Sequence, residues 1–186
     1  ANNNTLFGKD AGNDITTGDD NTAVGNEALK TITTGGFNTA VGDRALTVNT
    51  ADLNTAVGSL SAYSNTSGTK NTAIGQASLY TNTTGSNNTA VGRYGLRLNT
   101  TASNNTAVGQ EALTANTTGE QNVAVGAFAL DANTTANDNV AMGDGALKSN
   151  TTGDQNVAVG GQSTDANTTG IRLTAIGFES LTANTT

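Results

Sequence analysis

The sequence predicts an all-β fold: a parallel β-solenoid (β-roll) of about ten 17-residue coils. Three observations carry that expectation. The phrase Asn-Thr-Ala-Val-Gly-x-x-Ala-Leu-x-x-Asn-Thr-Thr-Gly-x-x recurs with its first residue at 4, 21, 38, 54, 71, 88, 105, 122, 139, 156 and 173, and every step is 17 residues except 38 to 54, which is 16. Glycine occupies the fifth place of all eleven copies. Leu, Ile, Val and Phe total only 33 of 186 residues. That composition borders on disorder, yet it suffices for stacked repeats that share one thin core. A fixed period of this kind implies a single repeat array over 4–186. Residues 1–3 read as the N-terminal edge of a longer chain, since Ala1-Asn2-Asn3 shows neither an initiator Met nor a signal peptide.

Each copy is numbered here as phases 1 to 17 from its Asn. Phase 4 is apolar in every copy, from Phe7 and Val24 to Met142 and Ile176. Phase 2 is Thr or, at Val123, Val140 and Val157, Val. Phases 2 and 4 share a face of a strand, so both are expected to point inward, with Leu at phase 9 as a second core row. Phase 3 is Ala in ten copies and phase 5 is Gly in eleven. They are then expected to face outward as a bare Ala/Gly strip that another surface approaches along the whole rod. A strand of five, a corner at Gly, a second apolar stretch and Asn-Thr-Thr-Gly would complete one coil. Eleven copies at the ~4.8 Å strand spacing give a rod of about 50 Å.

Helices are disfavoured by the recurrent Gly and β-branched Thr. Two-residue hairpins are disfavoured because Asn-Gly is absent and Asp-Gly occurs only at Asp144-Gly145. Phase 12 is Ile15 and Ile32 in the first two copies and Asn afterwards. An Ile/Asn exchange implies an inward position, and stacked Asn82, Asn99, Asn116, Asn133, Asn150 and Asn167 are expected to form a hydrogen-bonded structural ladder.

Composition removes several function classes. The chain lacks His and Cys, so zinc, haem and iron–sulfur sites lose their usual ligands, and His-dependent nucleophilic triads are excluded. No cofactor, metal or catalytic residue is expected, and the chain reads as a non-enzyme. The net charge is −7 and the eight Lys and Arg form no run, which argues against nucleic-acid binding and adhesion to an anionic membrane surface. No apolar run is long enough to span a membrane.

The rows Asn21-Thr22-Ala23-Val24-Gly25, Asn71-Thr72-Ala73-Ile74-Gly75 and Asn88-Thr89-Ala90-Val91-Gly92 resemble the Ser-Val-Ala-Ile-Gly phrase of YadA-like head repeats. Those repeats belong to trimeric autotransporter adhesins, and similar phrases occur in phage tail fibres. The adhesin repeats are shorter, and the Asn-Thr-Thr-Gly half departs from them. The resemblance implies an inner strand of a left-handed parallel roll, with three rolls about a threefold axis. A homotrimer would account for the expected strip. The implied role is structural: a segment of a surface fibre, in a phage virion or on a bacterial cell surface, that presents or contributes to attachment. A host receptor or surface glycan is the expected partner, without membrane insertion by this segment.

Other motifs are weaker. Departures from the phrase gather Tyr63, Tyr80, Arg93, Tyr94 and Arg97 into one stretch, a candidate exposed patch for sugars or protein partners. Asp19, Asp20, Asp52, Glu120, Asp138 and Asp154 recur near the end of the phrase, but other copies interrupt any calcium row, and a solvated turn is the simpler account. Asn-Thr-Thr matches the N-glycosylation pattern on the same Asn assigned to the ladder. Thr pairs at phases 13 and 14 suggest the alternative of an ice-binding solenoid with a Thr/Asn face, although adjacent Thr in a strand point to opposite faces.

Overall fold

The computed structural model describes residues 3–186. The expectation for residues 1–3 therefore falls, for 1 and 2, outside the described residues. Eleven three-residue strands form one parallel sheet in chain order: β1 Thr5–Phe7, β2 Thr22–Val24, β3 Thr39–Val41, β4 Thr55–Val57, β5 Thr72–Ile74, β6 Thr89–Val91, β7 Thr106–Val108, β8 Val123–Val125, β9 Val140–Met142, β10 Val157–Val159 and β11 Thr174–Ile176. Equal phases pair throughout, for example Ala90 with Ala107 and Thr106 with Val123. The protein is a β-solenoid of 17-residue coils, and no helix occurs among the described residues.

The strand alternates as expected but with the opposite facing. Phase 3 Ala is buried, at 0% exposure for Ala23, Ala90 and Ala107, while the phase 4 residues Ile74, Val108 and Met142 are 39%, 36% and 43% exposed. The expected inward row of phases 2 and 4 is thus an outward row, and no Ala/Gly strip lies on the surface. The reason is the width of the coil. A Cβ placed on Gly95, at phase 8, would lie 3.8 Å from the Cβ of Ala90, at phase 3 of the same coil. The two walls approach so closely that only Ala, Ser or Gly fit between them, and the larger Val is displaced to the outside.

Beyond the strand the coil is built from turns rather than a second strand. Phases 7, 9 and 17 adopt left-handed backbone with ordinary side chains, as in Glu111 (φ 57), Leu113 (φ 53) and Gln121 (φ 60). Each such residue costs roughly 1–2 kcal/mol. The conformation is held by backbone bonds to adjacent coils: Leu113 N donates to Ala129 O at 3.0 Å and Glu111 N to Arg93 O at 2.9 Å. The phase 9 leucines of the internal coils, including Leu29, Leu79, Leu113 and Leu147, are fully buried, while Leu181 in the last coil is 48% exposed.

The Asn ladder at phase 12 is present. Asn82 Nδ2 donates to Asn65 Oδ1 at 2.7 Å, Asn99 to Asn82 at 2.8 Å, Asn116 to Asn99 at 3.0 Å and Asn133 to Asn116 at 2.9 Å. Asn150 and Asn167 continue it at 3.3 and 2.9 Å. A second ladder runs at phase 1, where the side-chain oxygen accepts the backbone N–H of the next coil, as from Asn88 N to Asn71 Oδ1 at 3.0 Å. The phase 1 amide also donates to phase 15, Asn71 Nδ2 to Gly85 O at 2.9 Å. The 16-residue copy omits phase 14. Asn49 Nδ2 reaches Ala51 O two residues on, where Asn65 reaches Gly68 O three residues on. Strand register is unchanged across the short coil.

One buried hydroxyl breaks the pattern. Thr164 stands at phase 9, 1% exposed and left-handed (φ 55), and its Oγ1 has no partner. Thr164→Leu is expected to raise stability by about 1–2 kcal/mol by removing an unsatisfied hydroxyl and adding buried apolar surface. A denaturant midpoint at or below that of the parent would contradict this account.

Candidate binding surface

Three surfaces run along the rod. The first is the outer face of the sheet. Its phases 2 and 4 hold eight Thr, ten Val, two Ile, one Phe and one Met, with no charged residue. No hydroxyl of the eight phase 2 threonines, Thr5 to Thr106 and Thr174, takes part in a side-chain hydrogen bond within the described residues.

The second surface carries Asn-Thr-Thr. Phase 13 hydroxyls are committed to the next coil: Thr83 Oγ1 donates to Thr100 O at 3.0 Å and Thr100 Oγ1 to Thr117 O at 3.1 Å. They do not form a free hydroxyl array; phase 14, as at Thr84 and Thr118, is exposed. Asn82, Asn99 and Asn116 of the glycosylation pattern are at 0% exposure. Phase 16 side chains accept backbone N–H groups of the preceding coil, from Gly36 to Asp52 Oδ1 (2.7 Å), Ser86 to Ser103 Oγ (3.0 Å) and Asn137 to Asp154 Oδ1 (2.6 Å). Asn3 N donates likewise to Asp19 Oδ1. This explains why Asp, Ser and Asn are found there. Among the described residues no group of three His, Cys, Asp or Glu is placed to hold a metal ion.

The third surface displays the variable phases 6, 7 and 10, and it brings the sequence-predicted patch together. Tyr63 and Tyr80, at phase 10 of successive coils, stack with ring centroids 5.4 Å apart and planes at 13°. Arg97 takes the same phase one coil further on, aligned by Thr81 N to Arg97 O at 3.1 Å. The guanidiniums of Arg93 and Arg97 both lie over the Tyr94 ring, at 4.0 and 4.8 Å from its centroid.

Elsewhere on this surface one group of charges is closely paired, around Glu27. Glu27 accepts from Lys30 Nζ at 2.8 Å and from Arg44 Nε at 3.0 Å. The Lys30 bond, then the Arg44 bond, holds its carboxyl below the ordinary value. Burial, with Glu111 nearby, pushes the Asp131 carboxyl up against the opposing pull of Lys148. Gly145 leaves a gap in the phase 7 column, and a shallow cavity of about 220 Å³ opens there between Phe128, Asp144, Lys148, Gln162 and Asp165.

The class these features define is a parallel β-solenoid with two internal Asn ladders, one uncharged face and one variable face. No family model, curated protein or solved structure matches the chain. No helix among the described residues is long and apolar enough to cross a membrane. The phase 1 ladder and the outward Thr/Val row are structural features that the residue pattern did not reveal. The chain from Leu53 to Gln110 also contains no Asp or Glu, a signal that counting could have found.

Proposed function

We propose that the chain is a structural segment of a trimeric surface fibre, extracellular on a phage virion or bacterial cell, that presents or contributes to attachment. It acts by shape and contact rather than by catalysis. The uncharged Thr/Val row along the whole sheet carries this reading in place of the expected Ala/Gly strip. A continuous uncharged face of this kind, rich in Val, is the sort of surface that marks an interaction site. A second and third copy of the same chain are the partners whose axial repeat matches it coil for coil, and the likeness to YadA-like head repeats supports the threefold arrangement.

Light scattering is expected to give a mass near three chains. A folded monomer would refute assembly, and a mass of two chains would refute the threefold arrangement. Val108→Glu is expected to weaken association at least tenfold with unchanged far-UV circular dichroism, since a charge buried between copies lacks a partner. Gln110→Glu, on the variable face, should leave the mass unaltered. Ala107 is unsuited to this test, because it lies in the core.

One observation favours a second reading, an ice-binding solenoid. Eight unpartnered Thr hydroxyls repeat at the coil spacing beside Val on the sheet face. That reading predicts a monomer with thermal hysteresis, so the same mass measurement separates the two.

A further inference from the structure

We propose that the variable face of the fourth to sixth coils binds a carboxylate-bearing oligosaccharide, gripped by Arg93 and Arg97 and flanked by Tyr63, Tyr80 and Tyr94. This gives the attachment role a ligand and rests on it for setting, but the site lies on a different face from the Thr/Val row.

Charge is segregated along the rod. Between Leu53 and Gln110 the only charged residues are Lys70, Arg93 and Arg97, whereas all fifteen Asp and Glu lie outside, with five of the eight Lys and Arg. A positive band therefore interrupts a chain of net charge −7. All three tyrosines of the protein fall within it. Neither the charge nor the aromatics are needed by the coil, because other copies put Thr, Asp, Gln or Ala at the same phases.

The two arginines are held rather than neutralised. Lys30 and Arg44 pair closely with Glu27, but Arg93 Nη1 only approaches Glu111 Oε1 at 3.9 Å, and Arg97 has no ion pair among the described residues. Tyr94 restrains both guanidiniums by cation–π contact, and their side chains remain exposed. A guanidinium fixed on a ring keeps its N–H edges for an anion, and a carboxylate accepts two parallel bonds from such an edge. The stacked Tyr63 and Tyr80 add phenol hydroxyls, which donate to and accept from sugar hydroxyls.

Three coils span about 15 Å, and the rise per coil is close to the rise per unit of an extended pyranose chain. A short acidic oligosaccharide fits this band. A long polyanion does not, because it would run onto the acidic residues of the flanking coils, Asp43 and Asp52 on one side and Glu111 and Glu120 on the other.

The test is calorimetric titration of the chain, at low salt, with an oligogalacturonate, a neutral cello-oligosaccharide of equal length, a heparin-derived sulfated oligosaccharide and a single-stranded oligodeoxynucleotide. The oligogalacturonate is expected to bind at least tenfold more tightly than each of the others. The double variant Arg93→Ala/Arg97→Ala should lose at least tenfold in that affinity with unchanged circular dichroism, while Lys148→Ala stays within twofold. Equal binding of the neutral sugar, preference for the sulfated or nucleotide probe, no binding of the oligogalacturonate, or indifference to the arginine pair would overturn the proposal. A normal trimer that binds no oligogalacturonate would overturn this site alone, and a monomer that binds it would overturn only the assembly.

Discussion

Gly109→Ala is expected to cost about 4 kcal/mol or more, enough to abolish cooperative folding of the central coils. Gly109 has φ +141, outside the range an L side chain tolerates, and an added Cβ would lie 2.4 Å from the carbonyl oxygen of Gly126 and 2.5 Å from its carbon. Those atoms belong to the backbone of the next coil, so no side chain can rotate away. Relief would require separating these two coils, which the hydrogen bond from Gly126 N to Val108 O closes at 2.8 Å. Gly145→Ala is the control. Its φ is +64, a value that ordinary residues adopt at this phase, and its nearest neighbour is a side-chain atom of Gln162 at 3.8 Å. The cost there should be about 1 kcal/mol. Chemical denaturation followed by far-UV circular dichroism measures both, and similar midpoints for the two variants would contradict the close-approach argument.

Asn116→Ala comes next, with an expected loss of about 3 kcal/mol. Asn116 Nδ2 donates to Asn99 Oδ1 at 3.0 Å and to Gly119 O at 2.9 Å, and its Oδ1 accepts from Asn133 Nδ2 at 2.9 Å. Truncation leaves an orphaned acceptor on one side and a half-satisfied donor on the other, all in a column at 0% exposure. It also divides one chain of mutually polarised amides into two. Thr118→Ala, two residues away on the exposed surface, is expected to stay within about 0.5 kcal/mol. The natural 16-residue coil already omits that phase. Equal denaturation midpoints for Asn116→Ala and Thr118→Ala would show that the ladder contributes nothing.

The period, the parallel stacking and the phase 12 ladder were legible because each rests on a repeated residue type. Alternation also grouped Thr106 with Val108 and set Ala107 apart correctly. It could not say which group faced inward. Apolarity argued for Val, but the distance between opposing walls decides for Ala, and that distance belongs to the closed coil. The left-handed residues were invisible for a related reason: Leu113 and Gln121 carry no glycine signal, because bonds between coils impose their conformation. Asn71 and Asn88 at phase 1 carried no such mark, since no Ile exchange there signals burial. Within the patch, residue types revealed Tyr63, Tyr80 and Tyr94, but the stacking of the first two and the double guanidinium contact of the third depend on the coil pitch.

The hydrogen bonds of each coil run to the coils on either side, and the register is the same at every junction, including the short one. A further copy inserted in frame would therefore lengthen the rod by about 4.8 Å while repeating the same kind of contact at each new junction, and a deleted copy would shorten it equally. Internal units are thermodynamically interchangeable, with special terms only at the two ends. Length thus becomes a trait that recombination between near-identical gene segments can adjust in whole steps. The three coils bearing the tyrosines and arginines would travel along such a rod as a cassette, keeping their internal geometry wherever they were placed.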